Sequence, residues 1–192
     1  MHIPFLYFPY MSFPIDDKRK SGFLPPSYKN SEDSGDEFAL PYYINIAPHR
    51  DAMITPRFIS KRGTLLMTEF RYLNQNNSGK IDMEYLSNDK IYGDDRSNFS
   101  YKHSGNLTPR LKNEILVNQV SDPEYFEQLG NKLGSTSTTH VEQRADLIYT
   151  GNTWTNTLRL QGYQTVDETI PGSSRPYERL PQLLFNAKWP TN

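Results

Sequence analysis

The sequence holds no cysteine, so no disulfide and no thiolate metal site can form within it. It has no run of about 18 apolar residues, the length a membrane-spanning helix needs. Neither sign of charge prevails: 21 Lys and Arg stand against 22 Asp and Glu. No net field therefore marks nucleic acid or an acidic substrate as a partner. The four histidines, His2, His49, His103 and His140, are scattered without metal-ligand spacing and read as surface or loop residues. There is no nucleophile elbow, no dinucleotide fingerprint and no phosphate-cradling glycine loop beside Gly79 and Lys80. We expect no catalysis, no cofactor and no metal. The first residues lack the basic and apolar regions of a secretory leader, so none is expected here.

What is present is aromatic and polar at once. Aromatics make up 13% of the chain, with 13 Tyr against 2 Trp, while the mean hydropathy is −0.74. Disordered chains are aromatic-poor, so this one should fold. The mixture suits a sheet protein with polar loops. It equally suits an outer-membrane barrel, whose polar lumen and loops offset its aromatic girdles.

The dominant period is two. Ile81, Met83 and Tyr85 alternate with Lys80, Asp82 and Glu84, and Leu66, Phe70 and Tyr72 oppose Glu69 and Arg71. Phe99 and Tyr101 oppose Ser100 and Lys102, and Leu158 and Leu160 oppose Arg159 and Gln161. Such alternation predicts strands with one apolar and one charged face. Strands are expected near 22–30, 36–46, 51–59, 63–73, 79–87, 97–104, 110–120, 142–150, 153–163 and 179–188. One helix is expected over 122–133, opened by Asp122, Pro123 and Glu124 and stopped by Gly134. Connections alternate in length later in the chain. Those at 74–78, 104–108 and 150–152 are short, and those at 87–97, 121–141 and 164–178 are long and polar. Short turns at one end with long loops at the other describe an up-and-down barrel in an outer membrane.

Pro26 and Pro41 fall inside expected strands, where proline removes a ladder donor and is confined to edges or bulges. They mark irregular loops or interrupted strands. The first 21 residues differ from the rest: a dense aromatic run at 2–10 precedes Pro14 and the cluster Asp16, Asp17, Lys18, Arg19 and Lys20. We expect 1–21 to end one folded unit and act as a linker, and 22–192 to form the sheet.

Several collinear blocks carry a family resemblance: FLYFPY at 5–10, FPIDDKRKSGFL at 13–24, LPYYINIAP at 40–48 and DAMITP at 51–56. KRG at 61–63, EFRYL at 69–73 and VSDPEYF at 120–126 follow in order. From about residue 3 onward the chain resembles the LptD family, also called organic solvent tolerance protein. The resemblance implies a periplasmic jelly-roll domain ending near 1–21, then the first part of a large outer-membrane barrel. It implies transport of lipopolysaccharide to the outer leaflet, a lipoprotein plug (LptE) in the lumen and a periplasmic bridge (LptA) that delivers the lipid. Outer-membrane lipid would surround the wall. Met1 then falls inside a longer protein, so an open curved antiparallel sheet of about ten strands is expected. Its apolar face should meet lipid and its charged face the lumen.

Within that frame Pro26 and Pro41 become candidates for a lateral gate, the seam through which lipid leaves. Lys61 and Arg62, in an expected external turn, become candidate lipid head-group contacts. Their plain reading is ordinary turn polarity. Glu32 with Asp33, and Asp94 with Asp95, could hold a cation or simply be solvated. Two other classes stay in view: a soluble β-sandwich binding carbohydrate through its tyrosines, and an all-β hydrolase. An apolar face buried against a second sheet would favour the sandwich.

Overall fold

The computed structural model describes residues 19–130 and 138–189. The aromatic run at 2–10, most of the expected 1–21 unit and the far end of the expected helix lie outside them. The described residues form a single antiparallel sheet, one short α-helix and a 3-10 turn at Gly172–Ser174. The strands are β1 (Gly22–Phe23), β2 (Ser27–Ser31), β3 (Gly35–Ala39), β4 (Tyr42–Ala47), β5 (Arg50–Ile59) and β6 (Gly63–Leu73). They continue as β7 (Asn77–Leu86), β8 (Arg96–Thr108), β9 (Leu111–Val120), β10 (His140–Thr150), β11 (Trp154–Thr165) and β12 (Arg179–Ala187), with helix α1 (Tyr125–Leu129) between β9 and β10.

From β4 to β12 each strand pairs with its sequence neighbour. At the start, β1 pairs with β4, while β2 and β3 form a hairpin whose second strand also pairs with β5. The order runs from β1 to β12 without closing. Ten expected strands are thus twelve segments, because the first two are each cut at proline. Residues 24–26 separate β1 from β2, and residues 40–41 separate β3 from β4. Pro26 and Pro41 lie in these gaps, where each withholds the N–H that a ladder bond would need. Two other expectations shift. The helix has five residues, with Asp122 and Pro123 left in a turn before it. β8 runs through 104–108, where a turn was expected, with a register shift between Asn106 and Thr108 that places the turn at 109–110.

All connections longer than three residues lie at one end. That loop end carries 32–34, 60–62, 87–95, 121–130, 138–139 and 166–178. The turn end carries 48–49, 74–76, 109–110 and 151–153.

Residues directly opposite on paired strands share a face. Ala52, Phe70, Ile81, Tyr101 and Val117 form one cross-strand row, and Ile54, Thr68, Met83 and Phe99 another. Met53, Glu69, Asp82, Ser100 and Asn118 form a row on the other face. The two faces are the expected ones. The apolar face stays open: Leu66 is 44% exposed, Met83 51% and Leu158 42%. No second sheet covers it among the described residues, so this is not a sandwich core.

The buried cluster lies at the loop end. Ile59, Leu65, Leu86, Val120, Val141 and Val166 surround Tyr125 and Leu129 of α1. Arg57, Leu65, Leu86 and Arg96 stand in one row across β5 to β8, so α1 covers the charged face, not the apolar one. Leu65 is fully buried here. Leu65→Ala should destabilise the fold by about 2–5 kcal/mol, the cost of an aliphatic cavity that collapses incompletely. Chemical denaturation measures it, with exposed Leu66→Ala as a control expected to lose far less.

Candidate functional site: a proline-broken edge beside a buried ion network

The sheet edge at β1 and β2 is where the ladder is poorest. Phe23 faces Tyr42, so Leu24 falls opposite Pro41 on the next rung. The Leu24 N–H donates to the Pro41 carbonyl at 2.9 Å. The return bond would need an N–H on Pro41, which proline lacks. The pair is half made. One strand further in, Ala39 faces Arg57, so Leu40 falls opposite Pro56. The Leu40 N–H donates to the Pro56 carbonyl at 3.2 Å, and again no bond can return. Pro25 and Pro26 sit opposite this same level on the edge, between the Phe23–Tyr42 and Ser27–Ala39 pairs.

Beyond this break, towards the loop end, the β2–β3 hairpin touches β5 through few groups. Three paired positions join β3 to β5, from Glu37–Ile59 to Ala39–Arg57. Ser60 donates its N–H to the Asp36 carbonyl at 2.9 Å, and its hydroxyl accepts the Asp36 N–H at 2.9 Å. The strongest tie is ionic. Arg57 donates from Nε at 2.9 Å and from Nη2 at 2.5 Å to Glu37 Oε2, and both side chains are 6% exposed. The third nitrogen of the fork, Nη1, donates to the Leu129 carbonyl of α1 at 3.0 Å. Glu37 Oε1 is buried with no hydrogen-bond partner.

The long loops are held by a second ionic group. Arg96 is fully buried. Its Nε and Nη2 grip Asp122 at 2.9 and 2.6 Å, and its Nη1 reaches Asp89 at 3.3 Å and Gln128 at 2.8 Å. The guanidinium carbon stands 4.6 Å from the Tyr92 ring centre and 5.5 Å from that of Tyr125. Arg62 donates to the same Asp89 oxygen at 2.7 Å, and the Tyr125 hydroxyl donates to Glu84 at 2.8 Å. One network therefore joins the turn at 60–62, the loop at 87–95 and the loop that carries α1.

The two candidate head-group contacts separate. Arg62 is turned in and spent on Asp89, at 3% exposure. Lys61 is exposed, and its ammonium donates to the Glu32 carbonyl. Pro26 and Pro41 do come together, at neighbouring positions of one break. Period-two reading missed Pro56, because its strand continues through it, and missed Arg57, Glu37 and Arg96, because alternation marks a charge as facing away from the apolar side without showing whether a loop will cover it. The signal for Pro56 was available: it follows Pro41 by the same fifteen residues that separate Pro41 from Pro26. Among the described residues no group of His, Cys, Asp and Glu could hold a metal ion.

An open antiparallel sheet with neighbour-to-neighbour strands, one exposed apolar face and loops folded over the other is a stretch of an up-and-down barrel wall. The family model described as LPS transport system D matches residues 94–192, and the chain belongs to this LptD family. The LPS-assembly protein LptD of Nitrosococcus oceani is 48% identical over 184 residues, covering 96% of this chain and 25% of that protein. Its namesake in Pseudomonas aeruginosa (strain LESB58) is 43% identical over 195 residues, covering 97% and 21%. In Chromohalobacter salexigens the figures are 38% over 200 residues, 97% and 24%. The chain spans a quarter or less of the length of these relatives.

Removing Arg96 should expose how far the loops depend on it. Arg96→Met leaves Asp122 as an uncompensated buried charge and Asp89 with Arg62 as its one cation, which costs about 3–5 kcal/mol. Faster amide exchange throughout 87–95 and 121–130 is expected, with little change in β10 and β11. The same loop should respond to acid. Burial pulls the Asp89 carboxyl upward, but the Ile91 N–H and the Arg62 and Arg96 guanidinium groups outweigh it and hold it below the usual carboxylate range. The Tyr85 hydroxyl and the Asn88 N–H lower Asp95 likewise. Lowered groups stabilise in full above the unfolded carboxylate value near ~4 and lose that contribution as pH falls through their own. Protection of 87–95, corrected for intrinsic exchange, should be flat from neutral pH down to about 5 and fall at lower pH. In Asp89→Asn the acid step should shrink.

Proposed function

We propose that this chain is the N-terminal wall of an outer-membrane barrel that inserts lipopolysaccharide into the outer leaflet, preceded at 1–21 by the end of a periplasmic jelly roll and a linker. The observation that carries the reading is the proline-broken edge on a wall whose apolar face is uncovered. An uncovered face on which Leu66, Met83 and Leu158 are exposed and Phe70, Ile81 and Phe99 half-buried matches a lipid-facing surface. The opposite face, where Lys80 bridges Glu69 at 2.7 Å and Asp82 at 3.0 Å, matches a wet lumen. The relatives' names supply the cargo, because they are called LPS-assembly proteins. A plug such as LptE would occupy the lumen beside this charged face, and a bridge such as LptA would deliver lipid at the turn end. Lys61, exposed at the loop end, is the head-group contact in this reading. Arg62 supports it from below through Asp89.

Closing such a barrel pairs the β1–β2 edge with a closing strand, and lipid leaves by parting that seam. A ladder bond contributes only about 0.5–1.5 kcal/mol net in water, but an unmade one in lipid costs several kcal/mol. A fully bonded seam would resist opening. Prolines at Pro26 and Pro41 leave bonds unmade in both states, so opening loses less. Replacing both, Pro26→Ala with Pro41→Ala in the full-length protein, should slow the arrival of surface lipopolysaccharide several-fold while barrel assembly stays normal. Unchanged export by the assembled variant would refute the role of the prolines.

A further inference from the structure

Four prolines, Pro25, Pro26, Pro41 and Pro56, line up across the edge. The half-made pairs Leu24–Pro41 and Leu40–Pro56 lie on successive strand boundaries at one level, with Pro25 and Pro26 abreast of them. Everything beyond that level on the edge is one hairpin, β2–β3. Its hold on β5 and the turn after it is three paired positions, the Asp36–Ser60 exchange, the bonds from the Lys61 N–H and ammonium to the Ser34 and Glu32 carbonyls, and the Glu37–Arg57 ion pair. Towards the turn end the edge is fastened differently. There β4 pairs with β5 from Tyr42–Ile54 to Ala47–Arg50, the Asn45 N–H donates to Ser21 Oγ at 2.8 Å, and Asp51 accepts from Arg19, Tyr43 and Arg71.

We propose that the β2–β3 hairpin moves as a single flap, hinged on the Pro26–Pro41–Pro56 line and latched shut by Glu37 and Arg57. The unit that moves is therefore two strands wide, and the plane of separation lies between β3 and β5 as well as at the outer edge of β2. Pro56 is the positioning residue that sets the inner end of the hinge. Its absent N–H leaves the Leu40 carbonyl without a return bond at the point where the flap must bend. Arg57 carries the latch and reports it. The same guanidinium that holds Glu37 also holds the Leu129 carbonyl, so the flap and the α1 loop are fastened by one side chain. Glu37 has a second oxygen, buried and unpartnered. A carboxylate bonded through one oxygen only, beside a buried guanidinium, is less firmly held than one gripped through both. That is what a latch that opens and recloses requires.

The inference rests on the lateral-exit reading, and its test separates the two. Glu37 and Ile59 face each other between two hydrogen-bonded positions, where antiparallel Cβ atoms come closest and a disulfide can form. In the full-length protein, Glu37→Cys with Ile59→Cys joins the flap to β5 covalently. The oxidised double variant, present in the outer membrane at wild-type levels, should export lipopolysaccharide at least tenfold more slowly. An external thiol reductant should restore export, judged against wild-type protein given the same reductant. Each single cysteine variant should export without that dependence. Reversal by reductant separates a locked flap from a misfolded barrel. Glu37→Gln, which keeps shape and removes the charge, should admit a large glycopeptide antibiotic several-fold more readily than the wild-type protein. Wild-type export by the oxidised staple would overturn the flap, and an unchanged barrier in Glu37→Gln would overturn the latch. If the staple has no effect but Pro26→Ala with Pro41→Ala still slows export, the seam opens without the hairpin moving. If neither changes export, the lateral-exit reading falls with it.

Discussion

A proline nitrogen carries no proton, and the arrangement of the whole edge follows from that. Each strand in an antiparallel sheet meets its neighbour through N–H and C=O groups facing alternately to either side. A single proline deletes one donor and is tolerated at an edge. Prolines at one level on adjacent strands delete bonds on successive boundaries, which cuts the sheet across its grain. Away from this corner the ladders are long. β10 and β11 pair without interruption from His140–Thr165 to Thr150–Thr155, and β5 and β6 pair from Arg50 to Ile59, with Pro56 facing Leu66. The missing bond of Pro56 points the other way, towards Leu40. The wall is thus firm on one side of β5 and weak on the other.

Most groups of the charged face fall into two regimes along its length, with Asp51 and Asp146, buried beneath partly exposed arginines, as exceptions. Towards the turn end, Lys80 with Glu69 and Asp82, and Lys112 with Glu114, are partly open to solvent. Pairs of that kind contribute little, because water competes for both partners. At the loop end the corresponding groups are dry. Arg96, Asp89, Asp122, Arg57 and Glu37 are each at most 5% exposed, beneath α1 and the apolar cluster around Leu65. Buried ions add little net stability over apolar packing, yet unpairing one is expensive. Their effect is selective: loop conformations that leave a guanidinium unpaired are disfavoured far more than conformations that merely lose contact area.

Much of the wall was legible because a strand's period is local. Ile81, Met83 and Tyr85 show their common face in five residues, and the registers that align them with Leu66 and Phe99 follow once hairpins join neighbours. Pro26 and Pro41 were visible as breaks for the same reason. What depends on distant residues was not legible. Arg62 reads as an exposed turn cation until Asp89, twenty-seven positions on, folds back over it. Arg57 looks like any lumen-facing charge until Leu129, seventy-two positions on, brings its carbonyl to the guanidinium. The expected helix failed at its start for a related reason. Asp122, a natural first-turn residue, is taken by Arg96 of the neighbouring strand.

Arg57 is where these two levels of organisation meet. A helix leaves its last carbonyls without partners, and one of them must be satisfied from outside if it is buried. For α1 that partner is Nη1 of Arg57, while Nε and Nη2 of the same group face Glu37. If the hairpin swings away, two donors and a carboxylate lose their partners together, and the guanidinium that remains is held by one carbonyl on a loop. Water must then reach Arg57, or the loop must follow the hairpin. Either way the loop end cannot stay dry while the edge is open. On the proposed motion, opening of the wall and unsealing of the cap above it would be parts of one event, set by the geometry of a single planar side chain.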